Sequence, residues 1–154
     1  SSRLFSEVRD KRGLAYYVRA NSDQYTDAGS LAISAGVDPK RIEEAVEVIL
    51  SELSDLRDGR KKMSPEELRK AKEYLKGHLV LELEDSRSVS IFYAAQNILE
   101  KEIKNPDEVL ERIDKVTEED VAKAAKKYLI KETLNLAIIG NFKDKRKFEK
   151  LLEL

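Results

Sequence analysis

Near the start of the chain, Leu4-Phe5-Ser6-Glu7-Val8-Arg9-Asp10-Lys11-Arg12-Gly13-Leu14-Ala15-Tyr16 runs from an amphipathic helix through a glycine into a strand. Leu4, Phe5 and Val8 fall on one face of a short helix. Gly13 tolerates the left-handed conformation that ends helices, so the helix is expected to stop there. Arg9 and Tyr16 stand seven positions apart across this reversal. A guanidinium offers a fork of donors and no acceptor, and a phenol offers a rotatable O–H. Brought together, they can bind a peptide carbonyl or stabilise an oxyanion forming on it. The alternative is an exposed arginine and a strand tyrosine with no shared role.

Outward from this stretch the pattern alternates. In residues 15–21, Tyr16, Val18 and Ala20 oppose Tyr17, Arg19 and Asn21; in 30–37, Leu31, Ile33, Ala35 and Val37 share a face. The polar segment 22–29 joins them, which predicts an antiparallel hairpin with a fairly long loop. Asp38-Pro39 is a helix start, and Ile42, Ala45, Val46, Ile49, Leu50, Leu53 and Leu56 form a continuous apolar stripe ending near Gly59. Ser64-Pro65-Glu66-Glu67 starts a helix to about Asp85. Its Val80, Leu81 and Leu83 imply deeper burial at the C-terminal end. Further helices are expected from about Val89 to Lys101, from Asn105 through Ile113, and after Thr117 with Val121, Ala124, Ala125, Tyr128 and Leu129 inward. Leu134 to Gly140 reads as a covered central strand because it is almost continuously apolar. A charged helix from Asp144 to Leu154 faces Phe148, Leu151 and Leu152 inward. Residues 1–154 therefore read as a single α+β domain, a small mainly antiparallel sheet with helices packed on one face.

Composition narrows the function. The 154 residues carry 29 Lys+Arg and 30 Asp+Glu for a net charge of −1, so no global field steers nucleic acid or an anionic membrane. Lys61-Lys62 and the run from Lys143 to Lys150 read as solvated faces. No apolar run is long enough for a membrane span. With one His and no Cys, zinc-finger sites, thiol catalysis and redox switching are excluded. The charged fraction of 38% suits a thermophile or a helix-rich domain with solvated faces. There is no G-x-S-x-G, Walker loop or G-x-G-x-x-G. His78 with Glu82 one turn on could hold a metal weakly, but two ligands without a third make a poor site; otherwise His78 is an exposed or hydrogen-bonded helix residue.

The stretch from Ser1-Ser2-Arg3-Leu4 to Tyr16 closely resembles a signature of the pitrilysin (insulinase-like, inverzincin) zinc metallopeptidases, which include the mitochondrial processing peptidases. The resemblance continues in order through Tyr25-Thr26-Asp27-Ala28-Gly29, Glu66 to Lys72 with Leu75-Lys76-Gly77, Val116 to Val121, and the run to Gly140-Asn141. It covers nearly the whole chain and corresponds to most of the family's second, C-terminal repeat. It implies a LuxS/processing-peptidase-like metallohydrolase fold.

The resemblance also implies a division of labour. One half of such proteins carries the inverted zinc motif H-x-x-E-H, whose Glu is the general base while zinc activates water. The other half supplies an Arg and a Tyr spaced as Arg9 and Tyr16 are here. Their implied role is to bind the substrate backbone and support the tetrahedral intermediate. No catalytic or metal-ligating residue is expected on this chain alone. Zinc is expected on another domain, in the same chain or a partner subunit, and the isolated chain is expected to be inactive. The strand and helix that precede Ser1-Ser2-Arg3-Leu4 in the family are missing, which implies a truncated repeat with an exposed sheet edge that could self-associate. A cytoplasmic, prokaryotic parent enzyme acting on peptides is the leading expectation. The alternatives are a non-catalytic structural or regulatory subunit of a processing-peptidase-like assembly, and a plain protein-interaction module.

Overall fold

The computed structural model describes residues 2–100 and 102–152. Ser1 of the opening stretch, the expected helix end at Lys101, and Glu153 and Leu154 of the final helix lie outside the described residues. The chain divides into two compact units. One comprises Ser1–Asn21, Ala32–Lys62 and Glu119–Leu154, and the other Ser22–Leu31 and Met63–Glu118.

The first unit begins with the expected helix, but as a wide π-turn over Phe5–Asp10 rather than an α-helix. Lys11 N–H donates to Ser6 O across five residues, at 3.0 Å. Gly13 follows at φ 57°, a conformation that would strain any residue with a Cβ. Strands β1 (Ala15–Gln24) and β2 (Gly29–Val37) then pair in the antiparallel hairpin, the two-stranded sheet of the described residues. The strands run further than expected, so the connection is only Tyr25 to Ala28, closed by Tyr25 N–H to Ala28 O at 3.0 Å. Ile33, Ala35 and Val37 pack on the core as the alternation predicted. In β1 the buried residues are Ala15 and Val18, while Tyr16 and Ala20 are exposed, so the expected Tyr16-Val18-Ala20 face does not turn inward. Gly36 lies under the Tyr17 ring, where a Cβ would come 2.5 Å from Tyr17 Cε1. That close cross-strand approach holds Tyr17 down on the sheet.

Asp38 accepts a hydrogen bond from Lys40 N–H at 2.9 Å, capping a 3-10 turn over Pro39–Arg41 that leads into α1 (Ile42–Asp58). Gly59, at φ 68°, ends α1 as expected. The core packs Val8, Leu14, Ala15 and Val18 against Ala45 of α1, with Leu4, Phe5, Val48 and Ile49 around them.

In the second unit Ser64 caps α2 (Pro65–Glu82) by accepting from Glu67 N–H at 3.1 Å. Asp85 caps α3 (Ser86–Leu99) through Ser88 N–H, starting that helix three residues before the expected Val89. Asn105 and Glu108 form a reciprocal capping box at α4 (Pro106–Lys115). Helix α2 packs on α4. Lys72 Nζ donates to Asp114 O at 2.8 Å, and Lys76 pairs with the Asp114 carboxylate at 2.9 Å. The deep burial expected at the end of α2 is absent: Val80 and Leu81 are exposed. Its neighbour α4 covers one side of α2, and apolar side chains on the other sides stay open.

Helix α5 (Glu118–Tyr128) leads into the last part of the first unit. Ala125 and Leu129 are buried as expected, but Ala124 and Tyr128 face solvent. The expected central strand at Leu134–Gly140 is corrected. A 3-10 turn over Lys131–Thr133 precedes an extended run that joins no ladder among the described residues, and Ile139 is fully exposed. A strand needs a neighbour for its N–H and C=O groups, and apolarity alone supplies none. Helix α6 (Arg146–Glu149) is shorter than the expected terminal helix, and its Phe148 is buried.

Candidate functional site

Arg9 and Tyr16 are both exposed and flank the Gly13 turn. Val8, immediately before Arg9, is fully buried, which turns Arg9 outward; its guanidinium carbon sits 4.8 Å from the Phe5 ring centroid. This stacking holds the arginine without consuming its N–H donors. Tyr16 is 86% exposed, and its neighbour Tyr17, against Gly36, is 45% exposed. No hydrogen bond joins Arg9 to Tyr16. Arg9 on the π-turn and Tyr16 on β1 therefore stand on either side of Gly13 with their donors open.

On the same π-turn and its exit lies a charge cluster that sequence reasoning missed. Glu7 is 7% exposed, and its carboxylate accepts from Lys11 Nζ at 2.7 Å, Arg12 Nη1 at 2.6 Å and Lys61 Nζ at 3.1 Å. The same Arg12 nitrogen donates to Glu7 O at 2.8 Å. Lys61 also grips buried Glu52 of α1 through both carboxylate oxygens, at 2.9 and 3.0 Å. Hydrogen bonds from Lys11, then Arg12 and Lys61, outweigh the cost of burial and hold the Glu7 carboxyl down at about 2. Glu52 above all, with Glu7, pushes the Lys61 ammonium up. The i, i+4 spacing of Glu7 and Lys11 was a legible signal. The burial of Glu7 and the reach of Lys61 across the unit were not, and Lys61, expected with Lys62 on a solvated face, is 43% exposed and paired with two buried carboxylates.

His78 is exposed on α2, its ring 4.8 Å from that of Tyr74. Among the described residues no group of three His, Cys, Asp or Glu is placed to hold a metal ion. The side chains of the described residues therefore do not fit a zinc site. An open groove of about 590 Å³ is lined by Leu134, Leu136, Ile138, Phe142, Phe148 and Leu152 among others, and neither Arg9 nor Tyr16 borders it. What the Arg9–Tyr16 turn can do is donate hydrogen bonds to an extended acceptor, such as a peptide carbonyl or the oxyanion formed from it.

Comparison with known proteins agrees with this turn's sequence. Residues 1–75 match the family model of the Peptidase M16 inactive domain. An uncharacterized zinc protease of Streptomyces coelicolor is 33% identical over 95% of this chain and 31% of its own length. The mitochondrial-processing peptidase subunit alpha of Caenorhabditis elegans is 26% identical over 83% of this chain and 24% of its own. The crystal structure of a conserved protein from Enterococcus faecalis superposes with a TM-score of 0.69 at 28% identity, over 82% of this chain and 29% of that one. The chain thus spans about a third of the length of the first curated relatives it matches. With the α+β fold and the opening signature, these likenesses make the chain a member of the Peptidase M16 (pitrilysin) family, as its C-terminal inactive domain.

Proposed function

We propose that this chain is the substrate-holding part of a zinc-dependent endopeptidase that hydrolyses peptides in a closed chamber. Arg9 and Tyr16 donate to the substrate backbone and to the tetrahedral intermediate. The zinc and its H-x-x-E-H motif belong to another domain, on the same polypeptide or on a partner subunit. The observation that carries this reading is the pair of exposed donor groups, Arg9 and Tyr16, on the two elements that flank the Gly13 turn. The names of relatives support it, since several are called zinc proteases. The donor set of the described residues offers zinc no site, so no step is assigned to zinc on this chain.

The test is made in the full-length parent together with its zinc-bearing half. Arg9→Ala and Tyr16→Phe are each expected to lower kcat by about 10²-fold, the scale of one lost oxyanion donor, with zinc content unchanged. Full turnover of a fluorogenic peptide by both variants would overturn the reading. So would zinc-dependent cleavage by the isolated 154-residue chain.

A further inference from the structure

Donors act only where they are held, and the groups that hold this turn are the cations gathered on buried Glu7. Two backbone bonds already close the reversal, Gly13 N–H to Arg9 O and Leu14 N–H to Val8 O, both at 2.9 Å. Arg12 closes it again with a single nitrogen shared between the Glu7 carbonyl and carboxylate. Arg12 is itself held from the far side, because Arg41 Nη1 donates to Arg12 O at 3.1 Å. Lys61 then ties the same carboxylate to Glu52, six residues before the end of α1, and Arg3 Nη1 fixes Lys61 O at 2.8 Å.

Glu7 and Glu52 are buried, while the side chains of Lys11, Arg12 and Lys61 stay 64%, 40% and 43% exposed. Desolvating the two carboxylates offsets part of the stability that the pairing gives. What the cluster supplies is direction: a carboxylate held from three sides permits one arrangement of the backbone that carries it. Glu7 lies two residues before Arg9 on the π-turn, and Arg12 lies four before Tyr16.

We propose that Glu7 is a positioning residue. Held between Arg12 and Lys61, it sets the π-turn that presents Arg9 against the strand that presents Tyr16. This rests on the reading of Arg9 and Tyr16 as substrate-contacting groups. Glu7 touches no substrate and acts through Arg9.

The experiment is a double-mutant cycle in the full-length parent with its zinc-bearing half. It reads kcat, KM, zinc content and melting temperature. Glu7→Gln keeps the shape of the side chain and removes the charge that binds three cations. It is expected to lower kcat about tenfold with KM little changed, zinc retained, and assays made well below the melting temperature. In the Arg9→Ala background Glu7→Gln is expected to lower kcat no further, because its effect passes through a side chain that is gone. A Glu7→Gln enzyme with full kcat, or losses that multiply independently with those of Arg9→Ala, would overturn the positioning role. Should Glu7→Gln not fold, Arg12→Lys serves in its place. Its side chain is 40% exposed, and it keeps the charge while losing the planar fork. An expected threefold loss of kcat, absent in the Arg9→Ala background, supports the role, and unchanged kcat refutes it. An Arg9→Ala enzyme of full activity refutes the underlying reading instead. An impaired Arg9→Ala beside an intact Glu7→Gln refutes only the positioning.

Discussion

Among the described residues, every buried hydrophobic side chain belongs to the first unit: Val8, Leu14, Ala15, Val18, Ile42, Ala45, Leu50, Ala125, Leu129 and Phe148. In the second unit the buried residue is a polar one, Gln96, whose amide both donates to Lys104 O and accepts from Lys104 N–H, at 3.1 and 2.8 Å. Its α2 and α3 leave Tyr74, Leu81, Ile91 and Ile98 exposed. Apolar burial and the cations gathered on buried Glu7 and Glu52 hold the first unit. Local devices, namely helix caps, a capping box and polar bridges to Asp114 and Lys104, order the second. The candidate site sits on the unit with the core, where a turn can be held to a fixed geometry.

The sharpest way to break this contrast is to truncate one large apolar residue in each unit. Leu14→Ala removes a side chain that is 1% exposed and is expected to cost about 3 kcal/mol in denaturant unfolding. Ile98→Ala, at a position 67% exposed, is expected to stay within about 0.5 kcal/mol. Equal losses at both positions would mean that the second unit is covered in solution. A second test is acidification. The Glu7 carboxyl is held below its unfolded value, at about 2, so its contribution is complete above about pH 5. It is lost as pH falls towards 2, a change of about 2–3 kcal/mol for a shift of this size. Stability measured from pH 6 to pH 2 should fall in that window in the native chain and fall less steeply in Glu7→Gln. A parallel slope in the variant would remove Glu7 as the source. A smaller effect than either loss in the first unit is expected at the capping box. Asn105→Ala should cost about 1 kcal/mol, read as faster amide exchange in the first turn of α4. Unchanged exchange there would show that α4 is held by its packing on α2 rather than by its cap.

Local signals in the chain were legible where the physics is local. Asp38, Ser64 and Asn105 cap the helices their spacing predicts, and Gly13 and Gly59 take the left-handed conformation at helix ends. The hairpin followed from alternation, and the Arg9–Tyr16 spacing across the turn followed from the signature. Leu134–Gly140 shows the limit: its apolar run satisfies every local criterion for a strand, yet pairing depends on a partner distant in sequence. Tyr128 fails for a related reason, since a helical stripe defines a face but not how far a neighbouring element covers it.

The sequence by itself determined the helix starts at Ser64 and Asn105, the hairpin, the family signature and the candidate pair, because each rests on local pattern; the start of α3 at Asp85 was not among them. Only the tertiary structure decided that Glu7 and Glu52 are buried, that Lys61 joins them, and that Tyr16 is open while Tyr17 lies against Gly36. Those outcomes turn on desolvation and on contacts between groups up to 54 residues apart. A charged residue reads the same in sequence whether water or three opposing charges surround it.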